Sequence, residues 1–218
     1  MRDITSDESM DDVLGRVAAE KGEEPAAPEA GIVPVGEHIR AMRNDRGISL
    51  QQLADATGFS SALLSQVENR MTSPPIGMLV RIANAVGTSV SALIGGRKEG
   101  AFSIVRKADR QSVSRVELKG GGRTEYGYES LGAGKASHRM EPFLVTLVPL
   151  SDPDVPRSVH EGEEFLYVLS GRVGIFLGEA SDVLEEGDCI YYDSSTPHHV
   201  HSADDREAKV LAVIHQGK

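Results

Sequence analysis

The chain has 218 residues, 39% of them hydrophobic, and a formal net charge of −10, which suffices for one large domain or two small ones. No apolar run approaches the roughly 20 residues needed to span a bilayer, and the acidic opening "MRDITSDESMDD" lacks the apolar core of a secretory signal. A single cysteine, Cys189, excludes an internal disulfide framework; the expectation is a cytoplasmic protein, with Cys189 a buried thiol inside the strand-like "DCIYY".

The charge is unevenly spread. Residues 1–33 carry nine acidic and three basic residues, a balance of −6, and are rich in alanine and proline. This composition predicts an acidic disordered tail, in which Met10, Val13, Leu14 and Val17 have the spacing of one transient helix. From Val35 to Arg97 there are six arginines and four acids, a balance of +2. A mildly basic module between acidic flanks can still face a polyanion, because the local charge governs contact.

Residues 34–97 read as five short helices. "VGEHIRAMRNDR" puts Ile39 and Met42 on one face and ends at Gly47. Ser49 caps "LQQLADAT", which Gly58 closes. Ser60 caps "SALLSQVEN". "PPIGMLVRIANAV" begins with prolines, where a helix tolerates them, and ends at Gly87. "SVSALI" ends at Gly95 and Gly96. Helices this short are unstable alone, so they must share a core that includes Leu53, Ala54, Leu64, Val67, Leu79 and Ile82.

From residue 101 to 218 the period changes. "FSIV", "SVSRVEL", "TEYGYESL", "FLVTLVPL", "EFLYVLSG", "RVGIFLG", "DCIYY", "HHVHS" and "KVLAVI" alternate with glycine or polar turns, and no helix intervenes. This pattern predicts an all-β sandwich or barrel.

"SLQQLADATGFSSALLSQVENR" has the logic of a DNA reader: a helix, a tight turn with Gly58, and a second helix that opens with short polar residues. Together with "LVRIANAVGTSVSAL" it resembles the Xre-type (lambda repressor-like) helix-turn-helix family across the whole five-helix unit. The resemblance implies base contacts from Ser61, Ala62, Ser65 and Gln66, and phosphate contacts from Ser60 and Asn69. It also implies a structural pair, Arg43 with Glu68, between the first and third helices. Only Gln66 among the readers can make two hydrogen bonds to one base.

"SVHEGEEFLYVLSG" (158–171) and "GDCIYYDSSTPHHVHS" (187–202) resemble the two cupin motifs, with departures. Ser158 stands in the place of the first histidine, and Asp193, Ser195 and Ser202 replace a proline, a glycine and an asparagine. The resemblance implies a double-stranded β-helix, or jelly roll, in which His160 and Glu164 face His198. Two imidazoles and a carboxylate suit iron(II), zinc or manganese; a metal-free effector pocket is the alternative. Ser158 falls on the same face as His160, and Tyr126 and Tyr128 share a face that can line the pocket. Glu163 points the other way. His199 and His201, and His138 with Arg139, are expected at the surface.

The expected function is a DNA-binding transcriptional regulator, a homodimer or higher oligomer whose cupin half senses a small molecule. The competing reading is an enzyme, because the layout also resembles the iron-dependent hydroxypropylphosphonate epoxidases, with Tyr128 at a pocket tyrosine. Those enzymes engage substrate with a lysine from the helical half. Residues 35–97 contain no lysine, and Gly47 stands near its place, which favours the regulator.

Overall fold

The computed structural model describes residues 33–95, 102–110, 112, 126–134, 139–150 and 157–217. The acidic tail with its short helical spacing, most of "SVSRVEL", and His138 lie outside these residues.

Five helices form the first half: α1 (Val35–Asp45), α2 (Leu50–Thr57), α3 (Ser61–Glu68), α4 (Ile76–Val86) and α5 (Val90–Gly95). Their ends are set by local chemistry. The Ser49 hydroxyl accepts from the Gln52 amide while the Gln52 side chain accepts from the Ser49 amide, a reciprocal cap at the start of α2. Ser60 caps α3 by accepting from the Leu63 amide. Between them Gly58 adopts φ 73°, a left-handed conformation that costs glycine little and turns the chain within two residues. Leu53, Ala54, Leu64, Val67, Leu79 and Ile82 are all buried in one core. Full burial of each larger aliphatic side chain contributes about 1.5–3 kcal/mol, which holds together helices too short to persist alone.

Eight strands follow: β1 (Tyr126–Ser130), β2 (Met140–Leu147), β3 (Glu163–Ser170), β4 (Val173–Leu177), β5 (Ala180–Leu184), β6 (Cys189–Asp193), β7 (His198–Ser202) and β8 (Ala208–His215). They form a five-stranded sheet in the order β1-β2-β8-β3-β6 and a three-stranded sheet in the order β5-β4-β7. Every ladder pairing between these strands is antiparallel. A bridge between Ser158 and His198 and another between Pro149 and Ser202 tie β7 to segments flanking the larger sheet. The inner faces meet on Phe143, Val145, Leu147, Leu166, Val168, Val173, Ile175, Val210 and Ile214, all buried.

The structure corrects three expectations. "FSIV" is not a strand: residues 102–105 carry no ladder, and Phe102 and Ile104 are exposed. Residues 180–184 form a strand, β5, that the sequence does not advertise, because it is short, mixes polar and apolar residues without alternation, and is mostly exposed. Cys189 is exposed, not buried. It lies on the edge strand β6 opposite Tyr167, and strand alternation turns Tyr192, not Cys189, into the core.

The two halves meet over the open end of the barrel. The Tyr128 hydroxyl donates to the Pro74 carbonyl at 2.8 Å. The amide and hydroxyl of Ser91 donate to the fully buried Glu141 carboxylate. Buried residues of the helices and of both sheets belong to one contiguous apolar cluster.

Candidate metal and effector site with a DNA-reading face

His160 precedes β3, Glu164 lies within it and His198 opens β7. The amide of His160 donates to the Ser194 carbonyl, and Ser158 exchanges backbone hydrogen bonds with His198 at 2.8 and 3.0 Å. These bonds bring the two motif segments against one another. His160 Nε2 lies 2.8 Å from Glu164 Oε1, and His198 Nε2 lies 3.7 Å from the same oxygen. All three side chains are buried and their candidate ligand atoms lie within 4.8 Å of one another.

The second nitrogen of each ring identifies what the first can do. His160 Nδ1 faces the Glu161 carbonyl at 3.1 Å and His198 Nδ1 faces the Thr196 carbonyl at 2.9 Å. A carbonyl only accepts, so both Nδ1 atoms carry a proton and each ring turns its Nε2 toward the Glu164 carboxylate. The two Nε2 atoms and a carboxylate oxygen thus converge on one point, and His160 Nε2 and Glu164 Oε1, both buried, meet no polar group outside the cluster. A divalent cation satisfies all three at once, and these residues fit one.

Electrostatics favour the ionised carboxylate. Burial by itself would raise the Glu164 pKa, but the His160 contact, the two imidazoles and the Tyr192 hydroxyl outweigh it and hold the carboxyl below its ordinary range. Burial pushes His198 down, which keeps it neutral as a ligand must be. Tyr192 donates to Glu164 Oε2 at 2.6 Å and fixes the carboxylate. Motif reasoning missed Tyr192; only the β3–β6 register, which pairs Glu164 with Tyr192, reveals it.

A cavity of about 60 Å³ adjoins the cluster. Ser158, Glu164, His198 and His199 supply its polar lining, and Val145, Leu147, Leu166, Val200, Val210, Ala212 and Ile214 an apolar body. Pro75 and Ile76 of the helical half complete its lining. Tyr128 is buried, but its hydroxyl is engaged by Pro74 and it is not among the residues lining the cavity. The side chain of Tyr126 lies outside the described residues. Glu163 points away and accepts from Tyr191. Arg139 is exposed.

His199 and His201 are not surface residues as alternation suggests. His199 is buried and His201 half-buried; their rings stack on each other, and His201 stacks on Phe176. Burial foremost, then the His201, His198 and Arg157 charges, push the His199 pKa down from 6.5 to about 4. The unfolded chain therefore takes up a proton before the folded one. Stability from this group is complete above about pH 6.5 and is lost as pH falls toward 4. His199→Leu is expected to remove about 2–3 kcal/mol of the stability difference between pH 7 and about pH 4.5. Urea melts at both values measure it, and an unchanged difference would contradict the assignment.

The residues expected from the sequence to contact DNA sit on α3 and its ends. Ser60 caps the helix; Ala62 and Asn69 are exposed, and Ser61, Ser65 and Gln66 are half-exposed. The Ser61 hydroxyl donates to Gln51 at 2.9 Å, Arg40 donates to Asn69 Oδ1, and Asn69 donates back to the Ser65 carbonyl. The side-chain oxygen of Gln66 has no internal hydrogen-bond partner. Arg43 grips Glu68 with two hydrogen bonds, 2.6 and 2.9 Å, and the Ile48 carbonyl with a third. The Glu68 hydrogen bond is the main cause of its raised pKa.

Comparison with known proteins agrees with both halves. Residues 39–93 match the helix-turn-helix family model and residues 144–214 the cupin domain model. The immunity repressor of Bacillus phage phi105 is 30% identical over 86 residues, which is 38% of this chain and 60% of that protein. The chain thus spans less than two thirds of that relative's length. The HTH-type transcriptional regulator PuuR of Escherichia coli is 23% identical over 172 residues, 78% of this chain and 88% of its own. A solved HTH_3 family transcriptional regulator from Vibrio cholerae superposes with a TM-score of 0.60 at 23% identity, covering 84% of this chain and 95% of that one, a likeness of fold. Among the described residues no helix is long and apolar enough to cross a membrane. The chain thus carries a helix-turn-helix domain followed by a cupin domain.

Proposed function

We propose that the protein is a DNA-binding transcriptional regulator whose cupin half senses a small molecule. The observation that carries the reading is the capped, glycine-turned α2–α3 pair, which presents Ala62, Ser65, Gln66 and Asn69 along one helix. Such units read two half-sites as dimers. The outward face of the larger sheet suits a second copy of the chain: Tyr167, Leu169 and Tyr191 are exposed there. Glu163 and Lys209 lie at opposite ends of the β3–β8 ladder, so a two-fold axis across the strands would bring them together. The effector's polar head meets His160, Glu164 and His198, where a bound divalent metal would supply an electrophilic anchor. The epoxidase-like reading is disfavoured, because the helical half contributes Pro75 and Ile76 to the cavity and has no lysine between residues 35 and 97.

Selection from random duplex DNA tests the reading. The expected product is a two-fold symmetric site bound in a salt-sensitive manner. Gln66→Ala is expected to weaken that site by about 1–3 kcal/mol while leaving nonspecific binding unchanged. Failure to enrich any sequence would sink the regulator reading.

A further inference from the structure

Metabolite sites measure about 300–1,000 Å³, whereas a water needs about 10–15 Å³. At about 60 Å³ the cavity falls well below that range. Entry of a metabolite therefore requires part of the lining to move. Most of the lining comes from strands or from residues bridged to them: Val145 and Leu147 on β2, Leu166 on β3, and Val210, Ala212 and Ile214 on β8 are fixed by antiparallel ladders. Pro75 and Ile76 come from the helical half. No ladder holds them; they rest on the Tyr128–Pro74 hydrogen bond and, farther away, on the Ser91–Glu141 contact. The approach is close. A Cβ added at Gly77 would lie 3.1 Å from His160 Cδ2 and 3.4 Å from Ser158 Cβ.

We propose that Pro75 and Ile76 are the movable, size-determining part of the sensing pocket. The ligand has a compact aliphatic body that takes the place of the Ile76 side chain, and a polar head that meets the His160, Glu164 and His198 cluster. Its entry is one event with the withdrawal of the start of α4 from the barrel. Because α4 packs against α2, that withdrawal is felt by the DNA reader. The inference rests on the sensing role given above and deepens it.

The test locks and loosens the contact in the full-length, chelator-treated protein. The hydroxyls of Ser91 in α5 and Ser130 in β1 face one another at 3.4 Å, away from the cavity. In a Cys189→Ser background, Ser91→Cys with Ser130→Cys forms a reversible disulfide across the two halves. The probe is diethyl pyrocarbonate, which modifies accessible imidazoles and is read by peptide mass. Oxidation is expected to slow modification of His160 and His198 about tenfold relative to the reduced protein, with His38 and His215 unaffected. Gly77→Leu and Tyr128→Phe, which loosen the seat without a crosslink, are expected to accelerate it. Affinity for selected DNA is expected to differ about fivefold between oxidised and reduced protein. Equal modification rates in the locked, reduced and loosened proteins would overturn the gating. Equal DNA affinity in both redox states would overturn the coupling. Neither result resembles failure of the regulator reading itself, in which no sequence is selected at all.

Discussion

Arg43→Ala is expected to lower the stability of the protein by about 3 kcal/mol without changing which DNA sequence is selected. Glu68 is only 3% exposed, and Arg43 closes over it with two hydrogen bonds while a third reaches the Ile48 carbonyl. Removing the guanidinium leaves a buried carboxylate with Arg40, which is 42% exposed and meets it at 3.2 Å. A shielded charge stripped of its main partner costs several kcal/mol, and the more solvated Arg40 recovers a minor part. Glu68→Gln keeps the shape but turns one acceptor into a donor facing guanidinium N–H groups, so it is also expected to destabilise the fold. Urea melts give the stability and binding-site selection gives the preference. A changed preference with an unchanged melt would reassign Arg43 to base reading.

Glu164→Ala is expected to weaken divalent metal binding by roughly a hundredfold or more, with Tyr192→Phe about tenfold weaker than wild type. Glu164 Oε1 is the atom both imidazoles approach, and Tyr192 sets its direction. Binding should fall in mild acid, because both Nε2 atoms must be unprotonated to serve as ligands. Calorimetric titration with zinc, on protein stripped by chelator, supplies the affinities and their pH dependence. Absence of binding to the wild-type protein would reassign the cluster to a metal-free pocket.

What the sequence disclosed follows from the range over which each signal acts. Ser49, Ser60 and Gly58 act within a few residues, so the bounds of α2 and α3 were legible from the chain alone. The convergence of His160, Glu164 and His198 was legible through the resemblance to the cupin motifs and not through strand alternation, because His160 lies outside the strand that carries Glu164. Alternation misplaced His199 because it assumes that the reverse face of a strand meets water. Here Phe176, His201 and Arg157 fill that side. Cys189 was misread for the complementary reason: apolar neighbours suggest burial, but a strand's place at the edge of a sheet is a property of strand order, not of its own residues. Tyr192 needed register, and Pro75 and Ile76 needed the docking of one half on the other. Nothing local to "PPIGM" encodes a barrel above it.

The bond between the Tyr128 hydroxyl and the Pro74 carbonyl bears on how such proteins diversify. Domain shuffling presumes parts that can be exchanged at a linker. Here the reader completes the sensor's interior with its own prolines and isoleucine, and the sensor holds the reader by a tyrosine and a buried glutamate. Transplanting the helices onto another barrel would leave one protein with an open mouth and the other with an unmatched Ser91 and Pro74. The two halves therefore form a matched pair, and a change of specificity is expected to call for substitutions along their shared seam rather than exchange of a whole domain.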